Sequence, residues 1–161
     1  MNANCVVFID DQPNYIEYFV QEVKRRGFQT KVIKDVDEAI AYFSLPRPDV
    51  AAVVLDIIMP PGRDLWESSN EEGLWTGVYL YGKISSLQGI LRASGFPLPI
   101  AVLTQRAVGD AIHMLEELGI KAPINEKFQI WQKVGLEADQ FAMEFETWLQ
   151  ALRELYGSLG K

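Results

Sequence analysis

The sequence has few residues that form crosslinks or bind zinc. It contains a single cysteine, Cys5, and a single histidine, His113. One cysteine cannot form an internal disulfide, and one cysteine with one histidine cannot supply the ligands of a structural zinc site. We therefore expect a protein of a reducing compartment that does not depend on zinc.

The sequence also lacks basic clusters and long apolar runs. It has 15 Lys and Arg against 22 Asp and Glu, a net charge of −7, and no run of Lys or Arg forms a patch. Nucleic acid and anionic membrane surfaces are therefore not expected as partners. The first apolar run ends at Asp10, too early for a signal segment, and none approaches the roughly 18 residues of a membrane span. We expect a full-length cytoplasmic protein.

The apolar content is sufficient for one compact domain. The chain has 161 residues, of which 48% are hydrophobic. We predict a single domain over residues 1–161, with an extended loop at about 60–73 and a long C-terminal helix at about 137–156. Residues 62–72 show no periodicity and include several acidic side chains. Trp66 lies within this segment, and Trp75 follows it. This loop is interpreted either as a packed surface loop or as a lid or partner-docking element.

Short apolar runs alternate with helical patterns along the chain. Strands are predicted at 5–9, 28–33, 50–55, 99–103 and 122–124, and helices at 14–26, 35–43, 74–92 and 107–118. The third helix contains three glycines, which predict a kink or break. Strand and helix units in series predict a parallel sheet with helices on both faces.

The last predicted helix has one apolar stripe. Phe141, Phe145, Trp148, Leu152 and Leu155 recur at spacings of three and four residues. We expect this stripe to pack on the core. The end of the helix could project far enough to support a homodimer.

Polar residues follow three of the predicted strands directly. Asp10 and Asp11 follow the first, Asp56 the third and Thr104 the fourth. Each alone could be a helix cap or turn residue. Because the carboxyl ends of parallel strands meet at one edge, the three carboxylates would repel each other unless a hard divalent cation neutralised them. The sequence therefore predicts a Mg²⁺ site at this edge.

Three motifs resemble the leading motifs of response-regulator receiver domains: VVFIDDQP at 6–13, AVVLDIIMP at 52–60 and IAVLT at 100–104. The resemblance covers roughly residues 5–128. It implies the CheY-like, flavodoxin-like α/β fold, a doubly wound five-stranded parallel sheet of order 2-1-3-4-5.

The resemblance also implies a function. Asp56 would accept a phosphoryl group from a sensor histidine kinase or phosphotransfer protein, and Thr104 would hydrogen-bond that group. Asp10, Asp11, Asp56 and the backbone carbonyl of Ile58 would bind Mg²⁺. The protein would be a stand-alone response regulator that signals through contacts with a downstream protein, which the sequence does not identify.

The segment that supplies a lysine in receivers departs from their pattern. Receivers carry a Lys-Pro-Phe-like segment after strand five. Here an ungapped comparison places Glu126 in the lysine position, and only a one-residue shift places Lys127 there. The usual switch aromatic falls near Pro123 or Ile124 and is expected to be absent. The alternative is therefore a receiver-like interaction module that phosphorylation does not regulate.

Two enzyme classes fit the sequence poorly. Residues 77–84 resemble a phosphate-binding P-loop, but Ile84 has no hydroxyl for Mg²⁺ and no strand precedes the segment. Haloacid-dehalogenase-type phosphohydrolases carry a second acid two residues after the nucleophile, where this chain has Ile58. We expect a phosphoacceptor with at most slow self-dephosphorylation and not a dedicated hydrolase.

Overall fold

The chain alternates strands and helices, as the apolar pattern predicts. The structure, a computed structural model, describes residues 3–60, 62, 76–92, 96–117 and 129–159. The strands are β1 Cys5–Ile9, β2 Gln29–Ile33, β3 Val50–Leu55, β4 Ile100–Thr104 and β5 Gln129–Gln132. The helices are α1 Glu17–Arg25, α2 Val36–Phe43, α3 Thr76–Leu91, α4 Val108–Glu117 and α5 Ala138–Leu159.

The strands form one parallel sheet in the order β2-β1-β3-β4-β5. This order confirms the flavodoxin-like prediction. The strand order reverses between β1 and β3, where parallel α/β sheets place their ligand crevice. Ile9 and Leu55 are partners in the register, so β1 and β3 end at the same level. The residues that follow them therefore meet at this crevice.

Helices cover both faces of the sheet, and each face has its own core. The first core packs α1 and α5 against one face and includes Phe8, Val54 and Trp131. The other face packs against α2, α3 and α4 through side chains such as Ile9, Leu55 and Val102. Because β1, β3 and β4 are buried on both faces, their sequences are apolar runs without alternation.

Local signals explain where α2 begins and which face of α5 is buried. The Asp35 side chain accepts a hydrogen bond from the Glu38 backbone N–H at 2.9 Å and caps α2. On α5, Phe141, Phe145, Trp148 and Leu152 are buried, which confirms the predicted apolar stripe. Leu155, the last member of that stripe, is half-buried.

Two predicted elements need correction. The prediction for α3 was a kink or a break at its glycines; the helix is continuous from Thr76 to Leu91, so a break is wrong. The fifth strand of the sheet is Gln129–Gln132 and not 122–124, which lies outside the described residues. Most of the predicted loop at 60–73 also lies outside them.

Among the described helices, none combines the length and apolar character that a membrane crossing requires.

Candidate functional site

The carboxyl edge of the sheet gathers the polar side chains that follow its strands. Asp10 follows β1, Asp56 follows β3, Thr104 ends β4 and Lys133 follows β5. Two backbone hydrogen bonds join these ends, from the Asp56 N–H to the Ile9 carbonyl at 3.0 Å and from the Lys133 N–H to the Thr104 carbonyl at 2.7 Å. The sheet therefore fixes the positions of the side chains relative to one another.

Lys133 bridges two carboxylates. Its Nζ donates to Asp10 Oδ2 at 2.7 Å and to Asp56 Oδ2 at 3.1 Å. The exposed side-chain fractions are 8% for Lys133, 4% for Asp10 and 9% for Asp56, so water screens these ion pairs weakly. A buried ammonium with two carboxylate partners is electrostatically favourable in a way that an isolated buried lysine is not.

Backbone N–H groups hold both carboxylates in place. Asp56 Oδ1 accepts from the N–H of Ile57 at 2.7 Å and from that of Ile58 at 3.4 Å. Asp10 Oδ1 accepts from the Gln12 N–H at 2.9 Å. Each carboxylate thus uses one oxygen for the backbone and the other for Lys133, which fixes its orientation.

The start of α3 packs directly on the residues that follow β3. The Gly77 N–H donates to the Ile57 carbonyl at 2.7 Å. A Cβ at Gly77 would lie 2.0 Å from the Asp56 carbonyl oxygen and 2.4 Å from the Ile57 Cα, both impossible distances. Only glycine allows this approach. The P-loop-like segment is therefore part of a helix that supports Asp56.

The acidic side chains at this edge fit a hard cation. Asp10, Asp11 and Asp56 each offer a carboxylate oxygen, and these oxygens lie within 4.8 Å of one another. Lys133 compensates only one of the three negative charges. Closely spaced carboxylate oxygens with excess negative charge are the donors that Mg²⁺ prefers. A cavity of about 210 Å³ adjoins them, lined by Asp11, Gln12, Asp56, Ile58 and Gln105.

Burial and charge shift the pKa values of this group. Burial raises the pKa of Asp56; the Lys133 ammonium opposes the rise and the Asp10 carboxylate adds to it. Burial and the Asp10 charge also raise the pKa of Asp11. Burial alone would lower the pKa of Lys133, but Asp56 and Asp10 more than offset this, so its pKa lies above the usual value. Lys133 therefore stays protonated beside the carboxylates.

Thr104 is fully buried at the end of β4. Its Oγ1 accepts a hydrogen bond from the Arg106 N–H at 3.3 Å. The register pairs Thr104 with Gln132 and Leu103 with Trp131, so the ring of Trp131 belongs to the opposite face of the sheet. That ring packs edge-on against Phe141, with centroids 4.9 Å apart. The β5 strand therefore places no aromatic ring on the face of Thr104.

The structure brings together most of the residues that the sequence selects. Asp10, Asp11 and Asp56 form one cluster, and Ile58 lines its cavity. Lys127 and Glu126, the two residues considered for the lysine position, lie outside the described residues. Among the described residues, the lysine that contacts Asp56 is Lys133, which the sequence interpretation missed because it placed the fifth strand seven residues too early.

A signal for Lys133 is nevertheless present in the sequence. Ile130 and Trp131 form a short pair of strand-favouring residues, Lys133 follows two positions later, and Gly135 then allows a turn with φ of 76°. The pattern repeats that of the other strands, where a polar residue follows an apolar run.

No family model matches the chain, and no curated protein matches it. Solved structures do match over nearly its whole length. A two-component response regulator from Clostridium difficile is 14% identical, with a TM-score of 0.62, and the match covers 91% of this chain and 96% of that one. A CheY-like receiver domain protein from Methanospirillum hungatei is 13% identical, with a TM-score of 0.61 and coverage of 94% and 98%. A receiver domain protein from Clostridium thermocellum is 12% identical, with a TM-score of 0.64 and the same coverage of 94% and 98%. The chain has the fold of CheY-like response-regulator receiver domains.

Proposed function

We propose that this chain is a response-regulator receiver that accepts a phosphoryl group on Asp56. The observation that carries the proposal is the contact of the Lys133 ammonium with both Asp56 and Asp10, beside the third carboxylate of Asp11. This arrangement joins a nucleophile, a fixed cation and two further carboxylates beside a small cavity that Asp11 and Asp56 line. It is the donor set that phosphoryl transfer to a carboxylate requires.

In the proposed reaction an Asp56 oxygen attacks the phosphorus of a phosphohistidine. The new P–O bond forms as the P–N bond to the imidazole breaks, and the imidazole keeps the electron pair of that bond and takes up a proton. The donor would be a sensor histidine kinase or a phosphotransfer protein. The Lys133 ammonium lies close enough to Asp56 to neutralise charge on the incoming phosphoryl oxygens.

Asp10, Asp11, Asp56 and the backbone carbonyl of Ile58 would hold Mg²⁺ in this proposal. Bound there, the ion would supply further charge neutralisation to the transferring group. Gln12 and Gln105 also line the cavity and would contribute amide groups to it. Thr104, at the end of the neighbouring strand, would donate its hydroxyl to the phosphoryl group and report its presence to the loop after β4.

Signalling would proceed through contact with a downstream protein, and the proposed setting is a cytoplasmic phosphorelay. A dedicated hydrolase is disfavoured because Ile58, which lines the cavity, brings no second acid to it. The alternative of a receiver-like module without phosphorylation depended on Glu126 in the lysine position and on the long acidic loop. Because Lys133 supplies a cation beside Asp56, the first of these arguments no longer favours the alternative.

The direct experiment is incubation of the chain with acetyl phosphate and Mg²⁺, followed by intact-mass measurement. The proposal predicts a single phosphoryl adduct that is lost in Asp56→Asn. The matched control is Asp49→Asn, which makes the same change at an exposed residue just before β3. An adduct of equal yield in Asp56→Asn, or no adduct in the unchanged chain, would contradict the proposal.

A further inference from the structure

A second and larger cavity lies at the opposite end of the sheet. Its volume is about 430 Å³, and its walls include Ala51 near the start of β3, Pro99 before β4 and Leu152 on α5. This volume lies in the range of small-molecule sites. From Ala51 to Asp56 the strand rises by about 17 Å. The cavity is therefore separate from the carboxyl edge.

The charged residues in the described lining of this cavity are two arginines, Arg92 and Arg153, and no Asp or Glu accompanies them. In a chain with a net charge of −7, this is a local reversal of sign. An anion that enters the cavity would meet guanidinium groups, whereas most of the remaining charge on the chain repels it.

Backbone carbonyls hold both guanidinium groups in position. Arg92 Nε donates to the Phe96 carbonyl at 3.1 Å, and Arg153 Nη2 donates to the Ala3 carbonyl at 2.7 Å. Arg92 Nη1 is buried and has no hydrogen-bond partner among the described residues. A buried N–H without an acceptor is unfavourable, so an acceptor that a ligand brought within reach of Arg92 would be stabilising. Burial also lowers the pKa of Arg92, a shift that a bound anion would oppose.

The remaining walls are apolar and aromatic. Phe96 and Tyr156 stack with ring centroids 5.2 Å apart and an angle of 19° between the planes. Leu149 and Leu152 complete this side of the cavity from α5. A ligand would therefore find charged donors at one part of the wall and an apolar surface at another.

We propose that this cavity binds a small organic anion. Its carboxylate or phosphate oxygens would accept hydrogen bonds from Arg92 and Arg153, and its apolar body would lie against Phe96, Leu149 and Leu152. Guanidinium groups suit both oxyanions because their parallel N–H bonds match two acceptor oxygens. The proposal does not depend on phosphorylation of Asp56.

The test is an NMR titration of the ¹⁵N-labelled full chain with 3-phenylpropionate and with phenyl phosphate, and with neutral 3-phenylpropanol for comparison. Saturable shifts are expected at the amides of Leu149, Leu152 and Gly157 for at least one anion. The tighter anion identifies the preferred oxyanion. We expect Arg92→Gln and Arg153→Gln each to weaken its binding by about tenfold or more.

Arg25→Gln is the matched control, since it removes the same charge from an exposed position on α1 and should leave the affinity unchanged. Arg153 lies on an exposed part of α5, so its variant keeps the test valid if Arg92→Gln unfolds. The proposal is overturned if neither anion gives saturable shifts at millimolar concentration. It is also overturned if the alcohol binds as tightly as the anions, or if Arg153→Gln binds like Arg25→Gln.

Discussion

At the scale of single residues, the buried charges at the carboxyl edge depend on Lys133. Three carboxylates converge there, and Lys133 contacts two of them through hydrogen bonds of 2.7 and 3.1 Å. Removal of the lysine leaves buried negative charge without its partner, which is far less favourable than loss of an exposed ion pair.

We predict that Lys133→Met lowers the free energy of unfolding by about 3 kcal/mol in metal-free buffer, because Asp10 and Asp56 lose their shared cation. Urea denaturation followed by circular dichroism measures the change. The control is Lys24→Met, which removes an exposed lysine on α1 and should change stability by less than about 0.5 kcal/mol. Equal denaturation midpoints for the two variants would contradict the assigned role of Lys133.

The sequence marks the acidic members of the site strongly and the lysine only weakly. Asp10, Asp11 and Asp56 follow uninterrupted apolar runs of five and six residues, and parallel topology alone brings such strand ends together. Lys133 follows a strand of four residues with only Ile130 and Trp131 buried, so the apolar run that marks it is short. The contact that links it to Asp10 spans 123 residues of sequence and depends on the position of β5 at the edge of the sheet.

At the scale of secondary-structure elements, α3 packs so closely on the residues after β3 that its contact position, Gly77, has no room for a side chain. Its three glycines predicted a kink or a break, but the helix is unbroken and the glycines differ in their surroundings. A Cβ at Gly77 would clash with main-chain atoms of Asp56 and Ile57, whereas one at Gly82 would meet nothing within 4 Å. Sequence alone cannot separate these cases, because the difference lies in what the helix packs against.

We predict that Gly77→Ala destabilises the chain by at least about 3 kcal/mol, because the main chain beside Asp56 must move. It should also reduce phosphoryl transfer to Asp56, since the same displacement disturbs the nucleophile. Gly82→Ala, in the same helix, is expected to stabilise by about 0.5 to 1 kcal/mol through higher helix propensity. Thermal unfolding of both variants measures these changes in stability. A Gly77→Ala variant as stable as the unchanged chain would contradict the close contact between α3 and the residues after β3.

The long helix α5 attaches to the sheet through aromatic side chains. Phe141 is fully buried and contacts Phe19 of α1 and Trp131 of β5, with ring centroids 5.3 and 4.9 Å apart. The spacing of Phe141, Phe145 and Trp148 in the sequence predicts the buried face of α5, since every third or fourth residue of a helix returns to the same side.

Phe141→Ala is expected to lower the free energy of unfolding by about 3 to 5 kcal/mol, because it leaves a cavity between three elements. Met143→Ala changes an exposed residue of the same helix and should cost less than about 0.5 kcal/mol. Chemical denaturation of the two variants provides the comparison. Similar losses would mean that α5 does not pack as described.

At the scale of the whole molecule, the two ends of the sheet have opposite local charge. The carboxyl edge carries three carboxylates with one lysine, and the cavity at the amino end carries two arginines without a described acid. The net charge of −7 therefore does not describe the local charge at either end of the sheet. The order of strands and helices was predictable because apolar periodicity encodes it, but the arginine cavity was not, because it forms between residues distant in sequence.

The central claim is that Asp56 is the phosphoacceptor, and the most direct measurement is the position of the phosphoryl group. The chain is treated with acetyl phosphate and Mg²⁺ and then with sodium borohydride, which reduces an aspartyl phosphate to homoserine, and the peptides are sequenced by mass spectrometry. We predict homoserine at position 56, and none when EDTA replaces Mg²⁺. Homoserine at another aspartate, or at none, would contradict the account.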